Sequence, residues 1–200
     1  LELGLSKKLH QIPIVDDFGK ILGIQAINDL IKVTNKTNKV FLMVGGLGKR
    51  LGKLTKNTPK PMLKVGNKSI LQTIVESFAE YGYTNIVMCL NYKSEVIKEY
   101  FGDGSDFGVS IEYILESKRM GTAGALSLLK EKPTEPFFVM NGDLLTNVNL
   151  ENIHQFFISN NAYALMCVRQ YESQIPYGVI DIDNTHIRSV VEKPIQKFFV

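Results

Sequence analysis

The sequence predicts an α/β fold in which a doubly wound, mostly parallel sheet is covered by helices. From residue 40 onward, strand-like and helix-like segments alternate, as they do in folds built from βαβ units. The segments 40–44 and 137–140 are apolar throughout, which is expected of parallel strands buried on both faces. Loops follow the strands at 45–48, at 141–143 and after residue 115. These lie at carboxyl ends of strands, where doubly wound sheets bind their ligands.

The first part of the chain predicts a β-hairpin. Segments 12–15 and 20–24 are mostly apolar and flank the turn sequence Asp-Asp-Phe-Gly at 16–19. A helix is expected at about 27–31. The polar stretch TNKTNK at 34–39 has no periodicity, so we interpret it as a linker.

Five strands and four helices are predicted after this linker. The strands are expected at 40–44, 85–90, 109–115, 137–141 and 162–169, and the helices at 69–81, 93–101, 123–130 and 150–160. The helix at 69–81 has the clearest pattern. Ser69 can cap its start, an apolar stripe follows at helical spacing, and Gly82 ends it.

Composition excludes several classes of protein. The chain has 200 residues, enough for one domain with a real core, and a net charge of +3. So small a net charge does not indicate nucleic-acid binding. No apolar run approaches the roughly 20 residues that are needed to span a bilayer. Cys89 and Cys167 lie in apolar strand-like runs, so we expect two buried, reduced thiols and a cytoplasmic protein. Homo-oligomerisation stays open.

A glycine-rich and strongly basic stretch follows the first apolar strand. The loop Gly-Gly-Leu-Gly ends at Gly48, and twenty positions then carry seven basic residues and no acid. The basic residues are Lys49, Arg50, Lys53, Lys56, Lys60, Lys64 and Lys68. Glycines let backbone N–H groups approach phosphate oxygens, and fixed cations neutralise the remaining charge. This stretch therefore predicts a site for a ligand with several phosphates.

The same stretch resembles a known family. The pattern G-G-x-G-x-R-L, then L-T and P-K-P-M-L-x-V, runs from Gly45 to Val65. It is similar to the sugar-nucleotide pyrophosphorylases, the nucleotidyltransferases that join a nucleoside triphosphate to a sugar 1-phosphate. The chain departs from the family at Lys49, Gly52 and Lys53, where Thr and Arg-Pro are usual. The resemblance implies a Rossmann-like, three-layer α/β/α domain with a mixed, mostly parallel sheet over residues 40–200, incomplete at its carboxyl end.

Residues 1–33 resemble a different module. The P-I-V-D, G-x-x-x-G and final D-L patterns are similar to the closing part of a CBS module. In that family the acid at the position of Asp29 contacts a ribose, whereas Ala26 stands where Thr or Ser is usual. An ordinary helix residue is an equally good interpretation of Asp29.

Four residues are candidates for catalysis. Arg50 and Lys60 match family positions that contact the triphosphate, and Lys193, in Glu-Lys-Pro, matches one that meets the sugar phosphate. Asp143 follows an apolar strand and the flexible Gly142, so its carboxylate is well placed to hold Mg²⁺ against phosphate oxygens. The family's second metal-binding aspartate corresponds to a position beyond residue 200. We therefore expect an incomplete metal site and weak or absent activity in these 200 residues.

The resemblance also implies residues that bind the nucleotide and the sugar phosphate. The nucleotide-binding candidates are Met43, Gly45, Gly46, Gly48, Glu116, Gly121, Thr122 and Gly142. The sugar-phosphate candidates are Gly178, Glu192 and Lys193, from the Y-G-V and E-K-P motifs. Both motifs are also compatible with an ordinary β-hairpin.

Glu116 occupies the family's base-reading position, five residues before Gly121. A carboxylate only accepts hydrogen bonds, and guanine offers adjacent N1–H and N2–H donors. Uracil and thymine offer one N–H between two carbonyls, so guanine, and hence GTP, fits best. A solvated Glu116, or an ion pair with Lys118 or Arg119, is the alternative.

The G-T-A-G-A-L and M-N-G-D-L-L-T segments are most similar to the mannose-1-phosphate guanylyltransferase-like branch. With a CBS region attached, the chain also resembles the glucosamine-1-phosphate guanylyltransferases of legionaminic acid biosynthesis. Transfer from CTP or UTP, and a non-catalytic sensor of sugar nucleotides, remain as other hypotheses.

Overall fold

A computed structural model describes residues 11–26, 34–46, 48–55, 58–118 and 120–200. The chain forms two compact units, the first ending at Leu150 and the second running Glu151–Val200. The helix expected at 27–31 lies outside the described residues. Among the helices that the structure describes, none has the length and apolarity to span a bilayer.

The first unit contains eight described strands and two α-helices. The strands are β1 (Gln11–Val15), β2 (Ile21–Ala26), β3 (Lys36–Met43), β4 (Lys64–Val65), β5 (Lys68–Ser69), β6 (Tyr83–Leu90), β7 (Ser110–Leu115) and β8 (Phe138–Asn141). The helices are α1 (Ile70–Glu80) and α2 (Ser94–Phe101). Short 3-10 helices lie at Lys49–Thr55, Lys60–Met62, Ser105–Phe107 and Gly124–Leu128. The predicted hairpin is confirmed, since β1 and β2 pair antiparallel.

Four parallel strands form the central sheet in the order β7-β6-β3-β8. Chain order runs outward from β3 through β6 to β7 and then returns to place β8 on the other side of β3. Met43, at the end of β3, is therefore level with both Cys89 and Asn141. In such sheets the crevice outside the strand ends at this reversal is the usual ligand site.

The central strand β3 begins earlier than the sequence predicts. Residues 36–39 lie in the strand although their polarity predicted a linker. The Lys36 N–H donates to the Gly82 carbonyl at 2.8 Å, and the Asn38 side-chain amide donates to the Pro136 carbonyl at 2.8 Å. Pairing with neighbouring segments, rather than burial of apolar side chains, holds this polar start in the sheet.

Packing covers both faces of the central strands β3 and β6, which confirms the three-layer arrangement. The edge strand β8 is less covered, since Val139 is 43% exposed, so the expectation that 137–140 is buried on both faces was wrong. On one face, Phe78 of α1 lies edge-on to Tyr83 and Phe138, with ring centroids 6.2 and 5.5 Å apart. On the other face, Phe41, Val87, Cys89 and Ala125 form a buried cluster. Ala125 thereby anchors the 3-10 helix Gly124–Leu128 to the sheet.

The predicted helices differ in how well they are confirmed. Helix α1 is capped as expected, because the Ser69 hydroxyl accepts a hydrogen bond from the Gln72 N–H at 3.1 Å. The helix predicted at 123–130 is only the 3-10 turn Gly124–Leu128. Leu129 is already extended, with φ −64° and ψ 128°, so the turn ends there and does not continue as an α-helix.

The two thiols lie in different environments. Cys89 is fully buried in the sheet, and burial, with a smaller contribution from the Glu116 charge, raises the pKa of its thiol to about 11. Cys167 is exposed, so the expectation that it is buried was wrong. Both cysteines are free, as predicted.

The second unit contains one helix and two hairpins. Helix α3 (Leu150–Ser159) confirms the helix predicted at 150–160, and it is followed by β9 (Gln170–Gln174), β10 (Gly178–Asp183), β11 (His186–Glu192) and β12 (Ile195–Phe199). Strand β9 pairs antiparallel with β12, and β10 pairs antiparallel with β11.

The strand predicted at 162–169 is not formed. Among the described residues, the apolar run at 162–168 pairs with no strand. Only Arg169 joins a ladder, where its backbone exchanges hydrogen bonds with Val200 at 2.8 and 2.9 Å. Apolar composition alone thus misled the prediction, because a strand needs a partner for its backbone groups.

Candidate functional site

Loops at the carboxyl edge of the central sheet enclose a cavity of about 760 Å³ in the first unit. It lies at the strand reversal described above, at the edge of the sheet where the sequence predicts a site. Its lining residues are Met43, Gly45, Gly46, Gly48, Leu51, Lys60, Pro61, Glu116, Met120, Gly121, Thr122, Asn141 and Asp143. We call this cavity the edge cleft.

Gly142 brings the end of β8 against the end of β3. Its N–H donates to the Met43 carbonyl at 2.9 Å. A Cβ at this position would lie 3.0 Å from Val44 Cγ2 and 3.3 Å from the Met43 oxygen. A side chain would therefore separate the two strand ends, so the glycine lets Asp143 follow directly beside the loop after β3.

Asp143 and Lys60 meet in the edge cleft. Lys60 Nζ lies 2.5 Å from Asp143 Oδ2, and each side chain is only about one-third exposed, at 37% and 34%. Lys60 starts the 3-10 helix Lys60–Met62, which is closed by a hydrogen bond from the Met62 N–H to the Pro59 carbonyl at 2.9 Å. Two residues 83 positions apart in the chain, both proposed from the sequence, thus form one charged pair.

The donor set of the edge cleft can be compared with the needs of Mg²⁺. Within the part of the chain that the structure describes, no group of three or more His, Cys, Asp or Glu side chains converges to hold a metal. Mg²⁺ commonly uses only one or two carboxylates and takes its other ligands from water and phosphates. The Lys60 ammonium already stands where a cation binds Asp143. Asp143 therefore fits a metal shared with a phosphate ligand.

Gly48 shapes the basic loop beside this pair. Its φ is +60°, and its carbonyl accepts hydrogen bonds from the Leu51 N–H at 2.9 Å and the Thr55 hydroxyl at 3.0 Å. A Cβ on Gly48 would lie 2.9 Å from Thr55 Cγ2 and 3.1 Å from Lys60 Cβ. The loop can close over Lys60 only because this position has no side chain.

Replacing Gly48 with alanine should destabilise the loop and displace Lys60. The left-handed backbone and the two close contacts together predict a cost of about 1–3 kcal/mol. Chemical denaturation would measure the free energy of unfolding. Gly46→Ala is the matched control for stability, because a Cβ on Gly46 meets nothing within 4 Å. Equal stability losses in the two variants would contradict this account of Gly48.

Glu116 forms the opposite side of the edge cleft. Its N–H donates to the Leu90 carbonyl at 2.8 Å, and its carbonyl accepts from the Asn91 side-chain amide at 3.0 Å. A Cβ on Gly45 would lie 3.7 Å from Glu116 Oε1, so the carboxylate lies beside this glycine. Glu116 and Lys118, both described, form no ion pair within 4.0 Å, and Arg119 lies outside the described residues.

In the loop after Glu116, the backbone at Gly124 lies close to the side chain of Met120. Gly121 has φ +83°, and a Cβ on Gly124 would lie 2.6 Å from Met120 Cβ. Gly124 therefore lets the chain fold Met120 back toward the cleft while Ala125 stays in the core. Thr122 lies on the same loop and also lines the cleft.

The remaining predicted site residues cannot be placed among the residues that line the edge cleft. Arg50 belongs to the 3-10 helix Lys49–Thr55, but its side chain lies outside the described part of the structure. Gly178, Glu192 and Lys193 belong to the second unit. There Gly178 is the direct partner of Glu192, and the Lys193 N–H donates to the Tyr177 carbonyl at 3.2 Å.

That pairing brings the Y-G-V and E-K-P motifs together at one end of the β10–β11 hairpin. A Cβ on Gly178 would lie 3.0 Å from Glu192 Oε2, so the glycine leaves room for the carboxylate. Lys193 has φ +47°, an uncommon conformation for a residue with a side chain. The hairpin interpretation of both motifs is therefore correct, and the same hairpin gathers the proposed sugar-phosphate residues.

Four lining residues of the edge cleft were not singled out from the sequence: Leu51, Pro61, Met120 and Asn141. All four are direct neighbours of predicted residues, since Leu51 follows Arg50, Pro61 follows Lys60, Met120 precedes Gly121 and Asn141 precedes Gly142. Adjacency to a motif was thus the available signal. Leu51 was part of the quoted motif, but no contact with a ligand was assigned to it.

The parallel sheet, the glycine-rich loop at its reversal and the Lys60–Asp143 pair define a Rossmann-like protein of the kind that handles nucleotides. Residues 39–198 match the family model described as nucleotidyl transferase. The chain belongs to this family, which confirms the resemblance inferred from the motifs.

Named relatives support the same placement. The chain is 34% identical over 165 residues to mannose-1-phosphate guanyltransferase of Neurospora crassa, and 37% identical over 164 residues to that of Yarrowia lipolytica. Each match covers 79% of this chain and 45% of the relative. The chain thus spans about half the length of the curated relatives that it matches.

Solved structures show the same fold. The structure of HddC from Yersinia pseudotuberculosis complexed with GMP-PN is 26% identical, with a TM-score of 0.55. The match covers 80% of this chain and 71% of that one.

Proposed function

We propose that this chain carries the nucleotide site of an enzyme that joins a nucleoside triphosphate to a sugar 1-phosphate. The products are a nucleoside diphosphate sugar and pyrophosphate. The observation that carries the proposal is the meeting of Lys60 and Asp143 in the edge cleft, beside a loop that Gly48 shapes. A cation for phosphate oxygens and a carboxylate for Mg²⁺ are what this transfer requires.

The chemistry asks the protein mainly for positioning and charge neutralisation. An oxygen of the sugar 1-phosphate attacks the α-phosphorus and forms a new P–O bond. The bond from the α-phosphorus to the bridging oxygen breaks, and pyrophosphate leaves with that electron pair. Lys60 would bind the triphosphate, and Asp143 would hold Mg²⁺, which supplies further positive charge at the phosphate oxygens. Arg50 is proposed to act beside Lys60.

Glu116 is proposed to select guanine. Its carboxylate lies at the side of the cleft beside Gly45, where an added Cβ would come within 3.7 Å of Glu116 Oε1 and 3.1 Å of Asn91 Cβ. Two acceptor oxygens match the N1–H and N2–H donors of guanine. The names of the relatives agree with GTP, since both are guanyltransferases and the HddC structure holds GMP-PN.

The sugar phosphate is assigned to the second unit. Gly178 and Glu192 are proposed to line the sugar pocket, and Lys193 to offset the repulsion between the two phosphates during attack. Mannose 1-phosphate and glucosamine 1-phosphate are the proposed substrates. The first has the support of the relatives' names, and the second rests on analogy with legionaminic acid biosynthesis alone.

Residues 1–33 are proposed to be the closing part of a CBS module, and the protein to act in the cytoplasm. The β1–β2 hairpin and the free thiols are compatible with these two assignments. Asp29 lies outside the described residues, so a ribose contact remains a sequence-based hypothesis.

A panel of nucleotides, run on a longer chain that contains these 200 residues, tests the central proposal. GTP, ATP, CTP and UTP would each be incubated with Mg²⁺ and either mannose 1-phosphate or glucosamine 1-phosphate. Pyrophosphate release would be measured for every pair. We expect release with GTP to exceed that with the other triphosphates by at least about tenfold. Turnover of another triphosphate without GTP would end the guanine assignment, and nucleotide binding without any turnover would favour a sensor.

A further inference from the structure

We propose that Lys60 occupies the cation position on Asp143 in the ligand-free protein, and that a divalent metal ion enters by displacing it. Binding of the metal and release of Lys60 toward the triphosphate would then be one exchange of cations on a single carboxylate. This inference rests on the proposed function and adds that Lys60 competes with the metal ion for the Asp143 carboxylate.

The geometry of the pair is the first argument. Lys60 Nζ is bound to Asp143 Oδ2, one of the two oxygens that the carboxylate offers to a metal. Both side chains are about two-thirds covered, whereas the Lys39–Glu112 pair is 40% and 65% exposed. A metal ion and an ammonium cannot share one carboxylate oxygen at contact distance, because like charges so close repel strongly. A metal that binds Oδ2 must therefore displace the ammonium.

The surroundings of Lys60 provide the second argument. Its backbone is fixed between Pro59 and Pro61 at the start of a 3-10 helix, and its Cβ lies against Gly48. The four-carbon stem beyond Cβ can rotate without any change in the backbone. Opening the pair therefore requires movement of one side chain only.

The third argument concerns where the released ammonium goes. Among the described residues that line the edge cleft, the acids are Asp143 and Glu116. Glu116 stands on the opposite side, beside Gly45. Once the metal holds Asp143, the phosphates of a bound nucleotide are the nearest strong acceptors for Lys60. The same lysine thus neutralises the carboxylate before binding and the phosphates afterwards.

Binding of Mn²⁺ in the absence of nucleotide tests the exchange. Electron paramagnetic resonance would measure the free ion for wild type, Lys60→Met, Lys64→Met and Asp143→Asn. Removal of the competitor should make Lys60→Met bind Mn²⁺ about three- to tenfold more tightly than wild type. Lys64→Met is the matched control. Lys64 is an exposed residue of β4, so this substitution removes the same charge without changing the Lys60–Asp143 pair. We expect it to change Mn²⁺ affinity less than about twofold.

The outcomes separate this inference from the proposed function. Equal affinities in Lys60→Met and Lys64→Met, with binding still lost in Asp143→Asn, would overturn the exchange and leave the metal site intact. Unchanged binding in Asp143→Asn would instead remove Asp143 from the proposed metal site, and the exchange with it. Absence of Mn²⁺ binding to Lys60→Met would also contradict the exchange. Thermal unfolding would check each variant, and Lys60→Gln would replace Lys60→Met if the latter fails to fold.

Discussion

Replacing Asp143 with asparagine is expected to lower turnover by about a thousandfold while leaving the fold intact. Asparagine has the same shape but no negative charge, so it would bind the proposed metal ion, which neutralises the phosphates, much more weakly. Loss of several kcal/mol of transition-state stabilisation corresponds to about three powers of ten in rate. The side chain is about one-third exposed and Gly142 keeps its own backbone contact, so stability should change little.

The measurement, made on the same longer chain as the nucleotide panel, is pyrophosphate release at saturating GTP and sugar 1-phosphate, together with GTP affinity by calorimetry. Part of the affinity should survive, because Lys60 and the loop around Gly48 remain. Asp106→Asn, in the exposed 3-10 helix Ser105–Phe107, makes the same chemical change away from the edge cleft. Turnover within about threefold of wild type in Asp143→Asn would refute its role, since such a change is under 1 kcal/mol.

The second large effect is expected from replacing Glu116 with glutamine. The carboxylate offers two acceptors to guanine, whereas the amide offers one acceptor and one donor. The donor would face an N–H of guanine, so kcat/KM for GTP should fall by about 10²-fold or more. Uracil presents an N–H beside carbonyl oxygens, which an amide can match. The ratio of UTP to GTP turnover should therefore rise as well.

Steady-state kinetics with both nucleotides, on the same longer chain, would measure this change in preference. Glu112→Gln is the matched control, because Glu112 lies on β7 with its side chain 65% exposed and paired with Lys39. An equal loss for GTP and UTP in Glu116→Gln would show that Glu116 supports the loop rather than reads the base. The backbone bonds of Glu116 to Leu90 and Asn91 do not involve its carboxylate, so the substitution leaves them in place.

Much of the fold could be predicted because the signals are local. The cap at Ser69 and the apolar stripe after it define α1 within a dozen residues, and they were confirmed. The fully apolar run after residue 39 correctly indicated a strand buried on both faces. The polar start of β3 could not be found in this way, since Lys36 and Asn38 are held by Gly82 and Pro136, far away in the chain.

The opposite error occurred in the second unit. The segment 162–169 has the composition of a strand, but backbone pairing begins only at Arg169. Cys167, within that segment, is consequently exposed. Composition reports what a segment could bury, whereas pairing depends on which neighbours the fold supplies.

By itself, the sequence determined the family, the parallel α/β architecture and the residue types of the candidate site. These follow from motif spacing and from hydrophobic periodicity, which are properties of neighbouring residues. Only the tertiary structure decided that Lys60 pairs with Asp143, and that Gly124 folds Met120 against the edge cleft. The physical reason is that such contacts depend on the order of strands in the sheet and on close approaches between loops, which no local pattern encodes.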